Sequence, residues 1–510
     1  MPAFLSKHNN AALFAVCIAV GGLLGFLLRF EVVYDLLHYH YYNGFAFAND
    51  RSGYDVAPAG IHTFFNPLAD FVSWFFIRRL NTSPAVYYTL TGTVFGVLLF
   101  VCLQINRLFF KSKTAIALSL ILASTGFATW FQIGTASNEI PVAVLVLTAL
   151  YLMLKDEKVC FAAFLLGAAT GLKLTAATYC LSSGIVFFLF NAGNFKRVAL
   201  FALCGVAGFL ATDGFWAYRL YDLYQNPVFP FFNAVFDSPW FAAVNFSVHD
   251  FEAPQIDKSL LSMIFLPLLL ISVSKGSEPT LDHIDFSDFR WLFASLLAAA
   301  YLFRRKKINL NKREKFLALW LIVSYVVWFK AFLVVRYLIP VETMLPVFFV
   351  KAGATIKPLN GSPVASALKT TMCALVVYIC VGTVWHSDSW GERREETVLP
   401  PPPTMTVPNG TLFLTGGEGN SAFLAQIAEK SDIRIVNRFE NLWENYIGQT
   451  KWGDAIKSAA REDGLKAFWI TGDFQIDVSK MKCARSRTDT LHTVCFPADV
   501  ADGVFGGSAP

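Results

Sequence analysis

The sequence predicts a polytopic α-helical membrane protein that carries a small α/β domain at its C-terminal end. Three observations predict it. Apolar runs of spanning or near-spanning length recur from residue 11 to residue 385, in a chain that is 55% hydrophobic and 15% charged with mean hydropathy +0.48. Such runs are read as membrane helices. Lysine and arginine collect in alternate connecting loops, as the positive-inside rule demands of a chain threaded back and forth. After Trp385 the composition turns polar, and short apolar strands alternate with helical stretches.

The first run, 11–28, follows Lys7 and is not succeeded by a small-residue cleavage site, so it reads as a retained signal anchor with its N-terminus inside. Further spans fall at 84–105, 114–132, 140–154, 159–173, 176–190, 198–216, 289–303, 316–330, 337–351 and 366–385. Two more runs, 64–77 and 260–274, are short for spans, and the second contains Pro267. If both lie in the interface, the basic loops all face the cytoplasm: Arg107, Lys111 and Lys113; Lys155 and Lys158; Lys196 and Arg197; Arg304 through Lys315; Lys351 and Lys357. That arrangement has eleven spans, and thirteen is the alternative. Both place residues 29–63 and everything after Trp385 outside.

The predicted organisation is a membrane module over 1–385, with outer loops at 29–70 and 217–258, a linker over 386–410, and an outer α/β domain over 411–510. The linker contains Pro400, Pro401, Pro402 and Pro403, a semi-rigid spacer. In the outer domain strands are expected at 411–415, 433–436 and 467–471, and helices at 421–430 and 452–462. The turn at Gly416, Gly417 and Gly419 lacks the full dinucleotide fingerprint and reads as a plain strand-to-helix connection. Of nine cysteines, seven lie in or beside apolar runs as small hydrophobes. Cys483 and Cys495 lie in the polar region and pair if it faces an oxidising compartment. The net charge of +5 forms no basic stripe, and no nucleic-acid motif is present, which excludes nucleic-acid binding.

Chemistry concentrates between Arg29 and Asp70, beside the first span. Polar and ionisable groups are costly there, and their density marks a functional site. Asp35 is placed to deprotonate a hydroxyl or, equally, to cap the helix that follows. Glu31, Asp50 and Asp55 are rivals for the first role. His38 and His40 suit contact with a phosphate or orientation of a carboxylate. Two apart on a helix, they diverge, which disfavours a metal clasp. Tyr39, Tyr41 and Tyr42 read as interfacial anchors. Lys173 and Arg336 are cations beside apolar segments, suited to a lipid phosphate or to snorkelling. Residues 328–342 set Lys330, Arg336, Tyr337 and Glu342 around one outer boundary. The second loop, with Asn226-Pro227 and Phe229-Pro230, is by default a turn.

The stretch Tyr34-Asp35-Leu36-Leu37-His38-Tyr39-His40-Tyr41-Tyr42-Asn43 resembles the first outer loop of a bacterial branch of the GT-C superfamily, integral membrane glycosyltransferases. So do Asp55-Val56-Ala57-Pro58, Phe65-Asn66-Pro67-Leu68, Asn226 through Asn233, and Arg336-Tyr337-Leu338-Ile339-Pro340. The resemblance covers residues 11 to about 385. It implies inverting transfer of a sugar from a polyprenyl-phosphate carrier to an acceptor hydroxyl of a glycan, lipid or protein. The site would face the periplasm from a bacterial inner membrane. Asp35 matches the position of the base, with Glu31 and Asp55 as alternatives. The donor phosphate falls to Arg336, His38, His40 and Lys173, and substrate contacts fall to Asn43, Asn66, Asn226, Tyr337 and Glu342. No cofactor is required; a divalent metal is compatible with these acids, but their spacing does not support one. The alternative is a transporter or flippase of a lipid-linked glycan, which would set ionisable groups deep in the spans. The acids lie mainly at the outer boundary, which favours the enzyme; Lys173 is the exception.

Overall fold

The computed structural model describes residues 2–31, 33–245, 257–273, 286–304, 309–355, 392–402, 405–415, 421–437, 446–471, 481–485 and 492–498. The expected span 366–385 and the glycine turn at 416–420 lie outside these residues. The chain divides into two units. One comprises Met1–Glu31, Tyr88–Thr212 and Val248–Arg393; the other comprises Val32–Tyr87, Asp213–Ser247 and Arg394–Pro510.

The first unit is helical. Among the described residues four helices are long and apolar enough to cross a membrane: Asn10–Leu28, Pro84–Phe109, Leu174–Asn191 and Phe195–Tyr224. Other expected spans form shorter helices, including Lys113–Ser124, Glu139–Lys155, Val159–Leu172 and Arg290–Arg304. The run expected at 114–132 is cut at Thr125 and Gly126, and resumes only as the four-residue helix Phe127–Trp130. The first two long helices meet through Gly21 and Gly25 on one and Gly92 and Gly96 on the other. A Cβ at any of the four would lie within 3.0 Å of backbone atoms across the contact. Small residues four apart let two membrane helices approach this closely.

The second unit has its own apolar core. Ala57, Ile61 and Phe64 of the first loop, Trp216, Leu220, Phe229 and Phe241 around the second, and Leu412, Leu414, Val436, Trp452 and Ile456 of the C-terminal region pack together. The Phe64 ring stands edge-on to Phe229, Tyr224 and Trp452 with centroids 4.8, 5.2 and 5.2 Å away. Edge-to-face pairs are the favoured aromatic geometry.

Five strands form the sheet of this unit: β1 Thr411–Thr415, β2 Ile433–Asn437, β3 Lys466–Thr471, β4 Met481–Arg485 and β5 His492–Pro497. Their order is β2-β1-β3-β5-β4, with the first three parallel and the β3–β5 and β5–β4 pairs antiparallel. The helices Ser421–Ala428 and Lys451–Arg461 alternate with the parallel strands, close to their expected positions. Cys483 and Cys495 face one another across β4 and β5 and are bonded as a disulfide. The outer edge of β2 is not left open. Val56 of the first loop pairs with Val436, its N–H donating to the Ile435 carbonyl at 2.8 Å while Asn437 N–H donates to Val56 at 2.9 Å. A covered edge cannot recruit another chain.

Candidate functional site

In the first unit the site grows from three interruptions in the helices. Irregular backbone at membrane depth persists only where protein or a polar cavity satisfies it. The first interruption, Thr125 to Asn138, is tied down by buried carboxylates. Glu342 accepts the Ala128 and Thr129 N–H groups at 3.0 Å each and the Thr129 hydroxyl at 2.6 Å. Gly126 makes room for it, because a Cβ there would overlap the carboxylate. Asp288 accepts the Phe127 N–H and is paired with Arg290 at 2.8 Å. Arg290 donates in turn to Leu122 O and Thr125 Oγ1. Glu31 accepts the Ala136 N–H at 3.0 Å and the Tyr88 hydroxyl at 3.2 Å. Carboxylates at free N–H groups are among the stronger hydrogen bonds a fold makes. Glu31, an alternative to Asp35 as the base, and Glu342, an expected substrate contact, are both wholly buried and hold this loop.

The loop so held delivers Glu139 to the other two interruptions. The helix Val159–Leu172 stops at Lys173, whose extended backbone leads into the 3₁₀ turn Leu174–Ala176. After the helix Lys312–Ala331, Leu333 turns left-handed at φ 55°, and Arg336 sits in the 3₁₀ turn Val335–Leu338. Trp328 Nε1 donates to Val334 O at 2.7 Å, and the Tyr179 hydroxyl donates to the Tyr337 carbonyl, which fixes that turn. Lys173 Nζ lies 2.6 Å and Arg336 Nε 3.7 Å from the same oxygen of Glu139. The second is an ion pair too long for a hydrogen bond. Both cations lie near the ring of Tyr337, 5.4 Å and 5.7 Å from its centroid. The side chains of Lys173 and Arg336 keep 14% and 18% exposure against 3% for Glu139, so the cations are the more open groups of the three.

The second unit holds the first-loop residues. Val33–Asp35 is a helical turn that widens into the π-helical turn Leu36–His40 before the helix Tyr41–Ala48. Such turns recur at functional sites. Asp35 is 3% exposed, and its side chain makes no capping hydrogen bond to the turn that follows. His38 and His40 diverge. His38 Nε2 is 3.1 Å from His62 Nδ1, and its ring stacks on Tyr34 with centroids 5.3 Å apart. His40 Nδ1 is 2.7 Å from Asp70 Oδ1, and Asn43 donates to the other Asp70 oxygen at 3.3 Å. Among the described residues no three His, Cys, Asp or Glu side chains converge as a metal site.

Asp55 has a different part. It takes both nitrogens of Arg51 at 2.6 and 2.7 Å, the Tyr42 hydroxyl at 2.7 Å and the Ile435 N–H at 2.8 Å. Burial, and then the Asp55 charge, push the Tyr42 phenol well above its usual pKa, which keeps it a donor. The carboxylate is fully used in docking the loop on β2. Asp50 pairs with Arg219 at 3.2 Å on an open surface. Asn66 accepts from the Leu68 N–H and donates to Asp213. Asn226 and Asn233 are buried and pin the second loop, Asn226 donating to Phe231 O and Asn233 to Ser238 O and Phe241 O. Lys173, Arg336, Tyr337, Glu31 and Glu342 thus belong to one unit, and Asp35, His38, His40, Asn43, Asp55, Asn66 and Asn226 to the other. Sequence reasoning missed Glu139, Asp70 and His62. Glu139 immediately precedes the expected span 140–154, and a carboxylate at the head of a span is the signal that could have found it.

No family model matches the chain, and no curated protein matches it. The fold is similar to the crystal structure of ArnT from Cupriavidus metallidurans bound to undecaprenyl phosphate. The TM-score is 0.55 at 13% identity, over 94% of this chain and 97% of that one. A likeness of this extent at so low an identity is one of fold. The fold of this chain is therefore one that it shares with ArnT over nearly the whole length of both.

Proposed function

We propose that the chain is an inverting glycosyltransferase that moves a sugar from a polyprenyl-phosphate carrier to an acceptor hydroxyl. The observation that carries this reading is the pair Lys173 and Arg336, set on breaks between helices and only partly covered. Two cations beside an apolar surface suit a phosphate whose tail lies in lipid, and arginine adds its forked donors. The likeness to a protein solved with undecaprenyl phosphate supports that choice of ligand. In the reaction a carboxylate takes the acceptor proton, the acceptor oxygen bonds to the anomeric carbon, and the bond to the phosphate oxygen breaks. Lys173 and Arg336 stabilise the charge that appears on the leaving phosphate. Asp35 is our choice of base: it occupies the matching motif position and is buried beside the first span. The reading also sets the second unit on the periplasmic side. The run of basic loops and the Cys483–Cys495 disulfide support that orientation.

The test is transfer from a purified polyprenyl-phosphate sugar, followed by mass spectrometry. Asp35→Asn should lower turnover at least about a hundredfold, the usual scale of a lost general base, with membrane insertion intact. Undiminished turnover would remove Asp35 from the mechanism, and no transfer from any such donor by the wild-type protein would remove the reaction.

A further inference from the structure

The reaction proposed above changes the charge of the group at the cation pair. In the donor the phosphate is a diester with a single negative charge. When the acceptor oxygen bonds to the anomeric carbon, the electron pair of the breaking bond stays on the phosphate oxygen and the acceptor proton goes to the base. The lipid is left with a monoester carrying about −1.5 to −2 near neutral pH. The same two cations meet both ligands. A product that carries more charge than its donor binds them more tightly and slows the next cycle.

Glu139 lies in the middle of this arrangement. Its Oε1 is 2.6 Å from Lys173 Nζ and 3.7 Å from Arg336 Nε, and its side chain is 3% exposed. It is fixed in place, because it ends the loop that Glu31, Asp288 and Glu342 hold by backbone N–H groups. A surface lysine and arginine snorkelling to headgroups would not call for a buried carboxylate between them. Two cations thus face the ligand with one buried carboxylate set between them.

We infer that Glu139 is a specificity-determining residue that limits the advantage of the doubly charged product over the singly charged donor. The physical ground is that Coulomb energy is linear in the charge of the ligand. Removing the Glu139 charge strengthens donor binding by some factor, and strengthens product binding by about the square of that factor. The carboxylate thus weakens both ligands but weakens the product twice as much in free energy, which speeds its release. Glu139 acts on the phosphate through Lys173 and Arg336, without touching the reacting atoms.

This inference rests on the reading of Lys173 and Arg336 as the phosphate site, and the experiment separates the two. Binding of polyprenyl phosphate and of its methyl ester, which carries one charge, is measured on the purified full chain at pH 8. Wild type, Glu139→Gln, Glu139→Ser and Lys173→Met are compared. With a coupling at the low end of the usual range, Glu139→Gln should tighten the methyl ester about fivefold and the phosphate about twenty-five-fold. Glu139→Ser should keep the same square relation, and product inhibition of transfer should deepen in both. Equal tightening of the two lipids, no tightening, or weaker binding by both Glu139 variants would overturn the role given to Glu139. Failure of the wild type to bind either lipid, or indifference to Lys173→Met, would remove the phosphate site and the inference with it.

Discussion

Asp55 is spent on structure: four donors surround it, from Arg51, Tyr42 and Ile435. Removing one partner of a buried ion pair strands the other, at a cost of about 3–5 kcal/mol. Asp55→Ala should therefore lower the thermal midpoint in detergent markedly, while the surviving folded protein, assayed cold, still transfers sugar. Loss of transfer without loss of stability would return Asp55 to the chemistry. At this scale the sequence was readable in part. Lys173 and Arg336 stood out because cations are rare beside apolar runs. Glu139 did not, since a single acid at the head of a span looks like its boundary. Asp70 and His62 were hidden for another reason: their meaning lies in partners 30 and 24 residues away.

Among the elements, those bounded by strong local signals were legible. Thr411–Thr415 and Ile433–Asn437 are built around apolar residues, and the helices between the strands follow from their periodicity. β4 and β5 carried no such signal, being mixed in polarity. Helix interruptions were also invisible, because hydropathy averages over the break at Thr125 and Gly126. The contact between the two first long helices depends on Gly21, Gly25, Gly92 and Gly96. Gly92→Leu should separate them and destabilise the protein by more than the ~1–3 kcal/mol typical of an overfilled core, since backbone rather than side chain stands in the way. Thermal unfolding of the purified variant checks this; an unchanged midpoint would mean the two helices do not rely on that approach.

For the whole molecule, hydrophobic runs and basic loops were enough to specify a membrane bundle with a mixed α/β tail. They could not reveal that the first loop, the second loop and the C-terminal residues share one core. Its members are far apart in sequence, and no local pattern records such a meeting. The orientation proposed for that unit is open to a direct test. In intact cells Cys483 and Cys495 should resist a membrane-impermeant thiol reagent until a reductant is added from outside. Labelling without reduction would remove the disulfide but keep the orientation, and no labelling after reduction would reverse the orientation.

The pairing of Val56 and Asp55 with β2 has a consequence for the timing of biosynthesis. Asp55 and its partner Ile435 are separated by 380 residues of chain. At about 5–20 residues per second, the ribosome needs roughly 20 to 80 s to make the second after the first. The spans can enter the bilayer as they emerge, but the loop that carries Asp35 waits unsupported through most of translation. The loop thus takes its native form late, no sooner than Ile435 has been made, so a distant stretch of chain determines when the first loop reaches its final shape.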